Sequence, residues 1–318
     1  MKAILTINMV FSHTISMLPY FWGNSAPKLI RLSFTYISLL FRFTTFTSFM
    51  FCFGFVFYFA YLRKFNNSKQ KIMKNGINTL IIYYISAFGI YIIDNQIIDL
   101  KTSVNILTLN YIVCYSEFLL SYAFISFLCI FAGNYILKMT SNYRILIVSS
   151  FCFAICSFFI PYSMIPSQLG IFIGSTKFVF FPIFLYLPYF LFGVYIARNN
   201  IYFNKYVFIS TAFLSFLGVL YITIWGIPRR FPPSFFWLTL SFFYTYCLYL
   251  FCVKISKIDL GAFFKRIGDN TLLYLLISNL VLRYFTWHKP FNAGFWGIFI
   301  VTGAIFLFTN QLIKIVRK

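Results

Sequence analysis

Residues 43–62 read FTTFTSFMFCFGFVFYFAYL, twenty positions without a charge, closed by Arg42 on one side and Arg63 on the other. As a helix rising about 1.5 Å per residue, this run is about 30 Å long, the thickness of a bilayer's hydrocarbon core. Similar runs, bounded by charges or by Pro, Gly and Asn clusters, occupy 3–21, 78–93, 112–132, 145–165, 178–197, 206–225, 235–253, 271–286 and 294–313. The pattern predicts an all-α polytopic integral membrane protein with about ten transmembrane helices, a single domain over residues 1–318. Composition agrees. Hydrophobic residues make up 61% of the 318 and charged ones 10%, against about 25% charged in a soluble domain, so one core cannot bury the apolar surface. No polar stretch exceeds about twenty residues, which leaves no room for a catalytic domain outside the membrane. Segment 28–42, with Lys28, Arg31 and Arg42 among apolar residues, reads either as interfacial or as the start of the second helix.

The charge balance sets orientation. Twenty-six Lys and Arg stand against five acids, for a net charge of +21. These cations punctuate apolar runs instead of forming one soluble face, which argues against nucleic acid and for topology and headgroup anchoring by membrane lipids. With a cytoplasmic N-terminus, most of them fall inside, including Lys2, the group from Arg63 to Lys74, and Lys314, Arg317 and Lys318. Both termini are therefore expected in the cytoplasm, which requires an even number of spans. The N-terminal run is interrupted by Asn8 and His13 and has no small-residue cleavage site, so it reads as an uncleaved first span. The seven cysteines lie in hydrophobic runs without zinc-like or disulfide-like spacing; they read as packing residues, and no metal is expected. Pro182 and Pro188 are both placed inside the sixth span. No internal repeat is visible.

Ionisable side chains within a membrane are costly and so mark candidate sites. Lys2 and His13 are eleven helical steps apart, three turns plus about 20°, which puts both on one face with a rise of about 16.5 Å. This spacing suits an extended ligand with phosphates at the surface and a reactive end at His13; it equally suits an anchor and a helix-bridging histidine. Glu117, in NYIVCYSEFLLSY, is the one glutamate of the chain and lies just inside the outer end of the fourth span. It needs a partner across helices or a proton, because an isolated buried carboxylate is heavily penalised. Its role is catalytic or substrate-orienting on one reading and structural on the other. Tyr115 and Ser116 add hydroxyls at a similar depth. The loop RKFNNSKQKIMKN carries Arg63, Lys64, Lys69, Lys71 and Lys74; Lys71 and Lys74 would share one side of a helix entering the third span. On the opposite surface GIPRRFPPS sets Arg229 and Arg230 beside a proline turn, where they meet an anionic carrier or interfacial lipid.

These features resemble acyltransferase family 3, multispanning membrane enzymes that move acyl groups from cytoplasmic acyl-CoA to carbohydrates on the other side. The family has a basic residue and a histidine in its first helix at the spacing of Lys2 and His13. FMFCFGFVFYFAYL resembles the end of its second helix, with Phe53 where serine is commoner, and Lys71 and Lys74 stand where it usually has arginines. FLYLPYFLFGVYIAR and IGDNTLLYLLISN resemble its sixth-helix region and a late helix, with Ser278 or Asn279 where many members carry histidine. The resemblance implies ten core spans, acetyl-CoA or another acyl-CoA as donor, and a cell-surface or secreted polysaccharide, free or lipid-linked, as acceptor at a bacterial cytoplasmic membrane. On this reading the chain is an O-acyltransferase, taken as an O-acetyltransferase. His13 and Glu117 are its catalytic residues, Lys2, Lys71 and Lys74 hold the CoA phosphates, and Tyr115, Ser116, Arg229 and Arg230 bind substrate. His13 is expected at mid-depth and Glu117 above it in one cavity. A transporter or flippase for a lipid-linked glycan is the alternative from a different class, and a membrane scaffold the third. Cysteine labelling or reporter fusions are expected to find 63–77 and the C-terminus both in the cytoplasm; opposite sides would remove the even-span topology.

Overall fold

The computed structural model describes residues 1–16, 28–179, 181–259, 261–288 and 294–316. In chain order the elements are α1 (Lys2–Ser16), α2 (Lys28–Ala60), a 3-10 turn (Leu62–Lys64), α3 (Phe65–Asn95), α4 (Leu100–Leu107), α5 (Glu117–Met139), α6 (Tyr143–Cys156), α7 (Ser167–Ile173), α8 (Ile183–Arg198), α9 (Lys205–Trp225), α10 (Phe235–Ile255), α11 (Gly261–Asp269), α12 (Thr271–His288) and α13 (Gly294–Val316). No strand occurs among the described residues. Hydrocarbon offers no partner to backbone N–H and C=O groups, and a helix satisfies them within its own segment. Five stretches are long and apolar enough to cross a membrane: Phe43–Asn95, Glu117–Met139, Lys205–Trp225, Phe235–Ile255 and Trp296–Ile315. Tyr143–Cys152, Ile183–Arg198 and Thr271–Thr286 are shorter apolar helices. The protein is membrane-embedded.

Each of the ten apolar runs carries a helix, and segment 28–42 is the start of the second, one of the two readings its sequence allowed. Two points differ from the sequence reading. The basic stretch 63–75, expected as a loop, is the 3-10 turn and the first turns of α3. No proline interrupts it, and Phe65, Ser68, Ile72, Gly76 and Thr79 form a buried stripe at helical spacing, which favours continuing the helix over breaking it. Of the two prolines placed in the sixth span, Pro182 is the N-cap residue of α8, and Pro188 alone lies inside the helix, where it contributes no backbone N–H. Residues 17–21 of the first run, and Lys289, Arg317 and Lys318, lie outside the described residues.

The chain divides into two compact units. The first comprises Met1–Thr45, Gly89–Ile98 and Ile255–Lys318. In it α1 and α12 run in the same direction at a nearly constant register: Thr6 Oγ1 donates to Thr271 Oγ1 at 3.4 Å, and His13 Nδ1 meets Asn279 Oδ1 at 2.8 Å. The α12–α13 pair is antiparallel, with Tyr274 against Phe306 and, one helix earlier, Arg266 Nη1 donating to Asn310 Oδ1 at 2.6 Å. Thr302 of α13 donates to Thr14 of α1 at 3.2 Å.

The second unit comprises Phe46–Phe88 and Asp99–Lys254. Here α2, α5, α8 and α10 share one direction. Phe46 meets Tyr186 before Gly54 meets Phe190, and Ser121 donates to Phe181 O at 2.6 Å while, farther on, Asn199 donates to Thr140 O at 3.3 Å. Ser48 and Thr245 pair at 2.9 Å, one turn before Phe51 reaches Tyr249. By contrast α3 is antiparallel to α5, and α9 to α10: Phe65 sits against Gly133 and Asn75 reaches Ser126 at 3.2 Å, while Asn204 N donates to Tyr246 at 2.9 Å and Tyr221 stacks on Phe236.

The tightest helix contact of this unit is between α2 and α8. A Cβ at Gly54 would strike the Phe190 carbonyl, and a Cβ at Gly193 would strike the Phe51 carbonyl and Phe55 N, so two backbones meet where neither carries a side chain. In lipid, close packing and not water exclusion holds helices together, which makes such approaches decisive. Gly54→Ala and Gly193→Ala are each expected to destabilise the fold by about 1–3 kcal/mol or more, because the obstacle is backbone and cannot turn away. Gly303→Ala, where an added Cβ meets nothing within 4 Å, serves as the control and should be neutral or stabilising. Unfolding in mixed micelles with all three variants measures the difference; equal midpoints would remove the backbone contact as a determinant.

Candidate functional site

Lys2 and His13 belong to the first unit and Tyr115, Ser116, Glu117, Lys71, Lys74, Arg229 and Arg230 to the second. His13 is half-buried on α1 and its partner, Asn279, is 2% exposed. An amide oxygen only accepts, so the 2.8 Å contact has Nδ1–H donating to Asn279 Oδ1, which leaves the basic lone pair of the ring on Nε2. The histidine is thereby fixed in tautomer and orientation, the arrangement of a general base with a positioning partner. Sequence reasoning noted Asn279 only as a departure from a pattern. One turn farther along α12, Arg283 forms an ion pair with Asp94, Nε to Oδ1 at 3.1 Å and Nη2 to Oδ2 closer still. A lone acid and a lone cation in apolar helices pair as membrane burial demands, and that opposition was the sequence signal for it.

At the other end of α1, Lys2 lies against the last turn of α11: a Cβ on Gly268 would stand 3.9 Å from Lys2 Cβ. Arg266, held by Asn310, is two residues earlier, so the basic character near Lys2 comes from α11 as well. Lys71 and Lys74 are both exposed on α3. Lys74 lines an open groove of about 420 Å³ with Lys69, Gln70, Met73, Ile77 and Ile130, and Lys71 is not among the lining residues.

Glu117 begins α5 and is 8% exposed. The turn before it explains how a carboxylate is held there. Tyr115 has φ 72° and Ser116 φ −110°, left-handed then right-handed, a sequence that converges successive backbone N–H groups into an anion-binding nest. The backbone N–H groups of Tyr115 and Glu117 and the Arg230 guanidinium act on the Glu117 carboxyl electrostatically, while Ser116 N–H donates to Val113 O at 3.3 Å. Tyr115 thus serves the site through its backbone. Glu117 Oε2 and Ser116 Oγ are buried with no hydrogen-bond partner among the described residues.

Arg230, in the segment between α9 and α10, lies over the rings of Phe231 and Trp237 at 4.5 and 5.7 Å. Arg229 is exposed; its Nε donates to Pro232 O at 3.2 Å and its guanidinium covers Tyr162 at 5.1 Å. Burial pushes the Tyr162 phenol above its ordinary pKa, and Arg229 opposes that shift. Arg229 therefore ties the 226–234 segment to the 157–166 segment. Gln168 also bonds Asn110, Tyr111 meets Phe178 and Phe181 meets Phe231, so four connecting segments, 108–116, 157–166, 174–182 and 226–234, come together at the end of the second unit where Glu117 lies.

No protein-family model, curated protein or solved structure matches the chain. No cluster of three or more metal-ligating side chains exists among the described residues. Nitrogen NMR of histidine-labelled protein in lipid is expected to show His13 protonated at Nδ1, with Asn279→Leu moving the population toward Nε2–H and Asn279→Asp retaining the native form. An unchanged signal in Asn279→Leu would show that Asn279 does not set the tautomer.

Proposed function

We propose that the chain is an integral membrane O-acyltransferase of the acyltransferase 3 kind, moving an acyl group, with acetyl as the first case, from acyl-CoA to a polysaccharide hydroxyl at a bacterial cytoplasmic membrane. The observation that carries the reading is the His13–Asn279 contact, because it sets a basic nitrogen within a membrane helix eleven steps from Lys2. Helix directions are those that alternating spans require. Counted along the ten runs, α1 and α12 are the first and ninth, and α2, α5, α8 and α10 the second, fourth, sixth and eighth. Alternating spans require the members of each set to run the same way, and the contacts described above have them do so. The antiparallel pairs join an odd run to an even one.

In the reaction, His13 Nε2 accepts the proton of a sugar hydroxyl as the oxygen attacks the thioester carbonyl. The tetrahedral intermediate collapses with loss of CoA thiolate, and the proton on His13 passes to that sulfur. The products are the sugar ester and CoA. Lys2 is assigned to the CoA phosphates as a point charge; in the second unit, Lys71 and Lys74 are assigned to phosphate contacts and Glu117 to a hydroxyl of the acceptor.

His13→Ala is expected to lower acyl transfer by about 10²–10⁴-fold, the contribution of a general base, while inserting normally. Lys2→Ala should mainly raise the KM for acyl-CoA. Mass spectrometry of the host's surface polysaccharide and radiolabelled acyl-CoA turnover measure both. Normal acylation with well-expressed His13→Ala sinks the mechanism; glycan movement without any acyl transfer by the wild type favours the flippase.

A further inference from the structure

Buried hydroxyls in this protein are mostly satisfied locally. Thr14 donates to Val10 O, Thr79 to Asn75 O, Ser126 to Tyr122 O and Thr286 to Leu282 O, each the carbonyl one turn back. Four polar atoms of the second unit break that habit. Besides Glu117 Oε2 and Ser116 Oγ, the phenol oxygen of Tyr83 and the hydroxyl of Ser86 are buried without a partner among the described residues. Tyr83 and Ser86 are 0% and 1% exposed. They are three residues apart on one side of α3, and the antiparallel register that sets Phe65 against Gly133 and Asn75 against Ser126 carries them to the start of α5, where Glu117 lies. Leaving such groups unpaired costs about 1–3 kcal/mol each, so four together in one unit constitute a large unmet demand for hydrogen bonds.

The chemistry of the four selects the ligand. One carboxylate oxygen accepts, and three hydroxyls both donate and accept, a mixture that matches vicinal hydroxyl groups. Arg230 acts on the Glu117 carboxyl as a neighbouring cation, which disfavours a second cation there. Aromatic faces stand nearby: Tyr186, on which Arg230 also acts, packs edge-on against Phe46. Polar vacancies beside aromatic rings are the recognition surface of a sugar ring.

We propose that Tyr83, Ser86, Ser116 and Glu117 form a buried subsite for the hydroxyls of a neutral sugar unit, with Tyr83 and Ser86 the two contacts from α3. The subsite deepens the acyltransferase reading, and rests on it for the statement that the sugar is the acceptor. Arg230 serves here as counter-charge to Glu117 in place of a contact for an anionic carrier.

The test labels Glu117 with dicyclohexylcarbodiimide, an apolar reagent for buried carboxyl groups, in protein held in lipid nanodiscs, with peptide mass spectrometry as the readout. Methyl α-D-glucopyranoside, methyl β-D-galactopyranoside, N-acetylglucosamine and fragments of the host's surface polysaccharide are the protecting probes, with sodium and tetramethylammonium ions as cation controls. At least one sugar is expected to protect Glu117, and Tyr83→Phe and Ser86→Ala should each weaken protection by about 3–10-fold, one hydrogen bond's worth, while labelling without sugar persists as proof of fold. Protection by cations alone overturns the proposal, as does labelling unaffected by every sugar or a wild-type Glu117 inert to the reagent. Sugar protection in a protein that transfers no acyl group would retire the acyltransferase reading and leave the subsite standing.

Discussion

The backbone of α2 touches the backbone of α8 at Gly54 and Gly193, and the second unit is arranged around that contact. Two helices normally pack with axes 8–10 Å apart because side chains intervene; here a carbonyl of each faces the bare Cα of the other. Aromatic residues then fill the flanks. Phe51 packs on Phe192 and Tyr249, Phe53 on Tyr122 and Phe190, and Phe46 stacks on Phe181. A chain with 47 Phe and 24 Tyr can use rings this way only if some positions are empty enough to admit them. Gly133 and Gly76 do the same between α3 and α5, where the rings of Phe65 and Phe127 fill the notches.

Polar groups in this packing fall into three kinds. Some are answered within their own helix, as Thr14 and Thr286 are. Some link helices, as Ser48 does with Thr245 and Ser215 with the Thr239 and Leu240 carbonyls. His13 and Asn279 are of this second kind, which is why a structural and a chemical role coincide in one contact. The third kind has no answer within the described chain: Thr45, Tyr274 and Thr309 in the first unit and, in the second, Tyr83, Ser86, Ser116 and Glu117, and the rarity of that state in folded proteins is what makes it informative.

Most of the helical content was legible because apolar run length is a strong signal and lipid permits little else. The 63–75 stretch misled because its charge suggested a loop, while its buried stripe of Phe65, Ser68, Ile72 and Gly76 is spaced for a helix. Glu117 could be picked out as the lone glutamate, yet the nest at Tyr115 depends on a positive φ that no residue type there announces. Asn279 was visible but unread, since pairing it with His13 requires bringing together residues 266 positions apart. Arg230 was credited to a surface ligand because its effect on Glu117 depends on how the 226–234 segment folds over α5's first turn. Pairings across helices are a property of the packed state, and a single sequence carries them only as isolated oddities.

The register between α1 and α12 bears on the order of assembly. The first helix leaves the ribosome early, and its partner follows some 266 residues later, roughly 15–50 s at ordinary synthesis rates. Through that interval Thr6 and His13 face the bilayer, its headgroups or other helices without Thr271 and Asn279. Most of the second unit is synthesised between them. The first unit is therefore completed only when α12 and α13 insert, so His13 acquires its fixed tautomer only after the second unit has been made, and a chain stalled before α12 carries α1 as a span with its polar face unmatched.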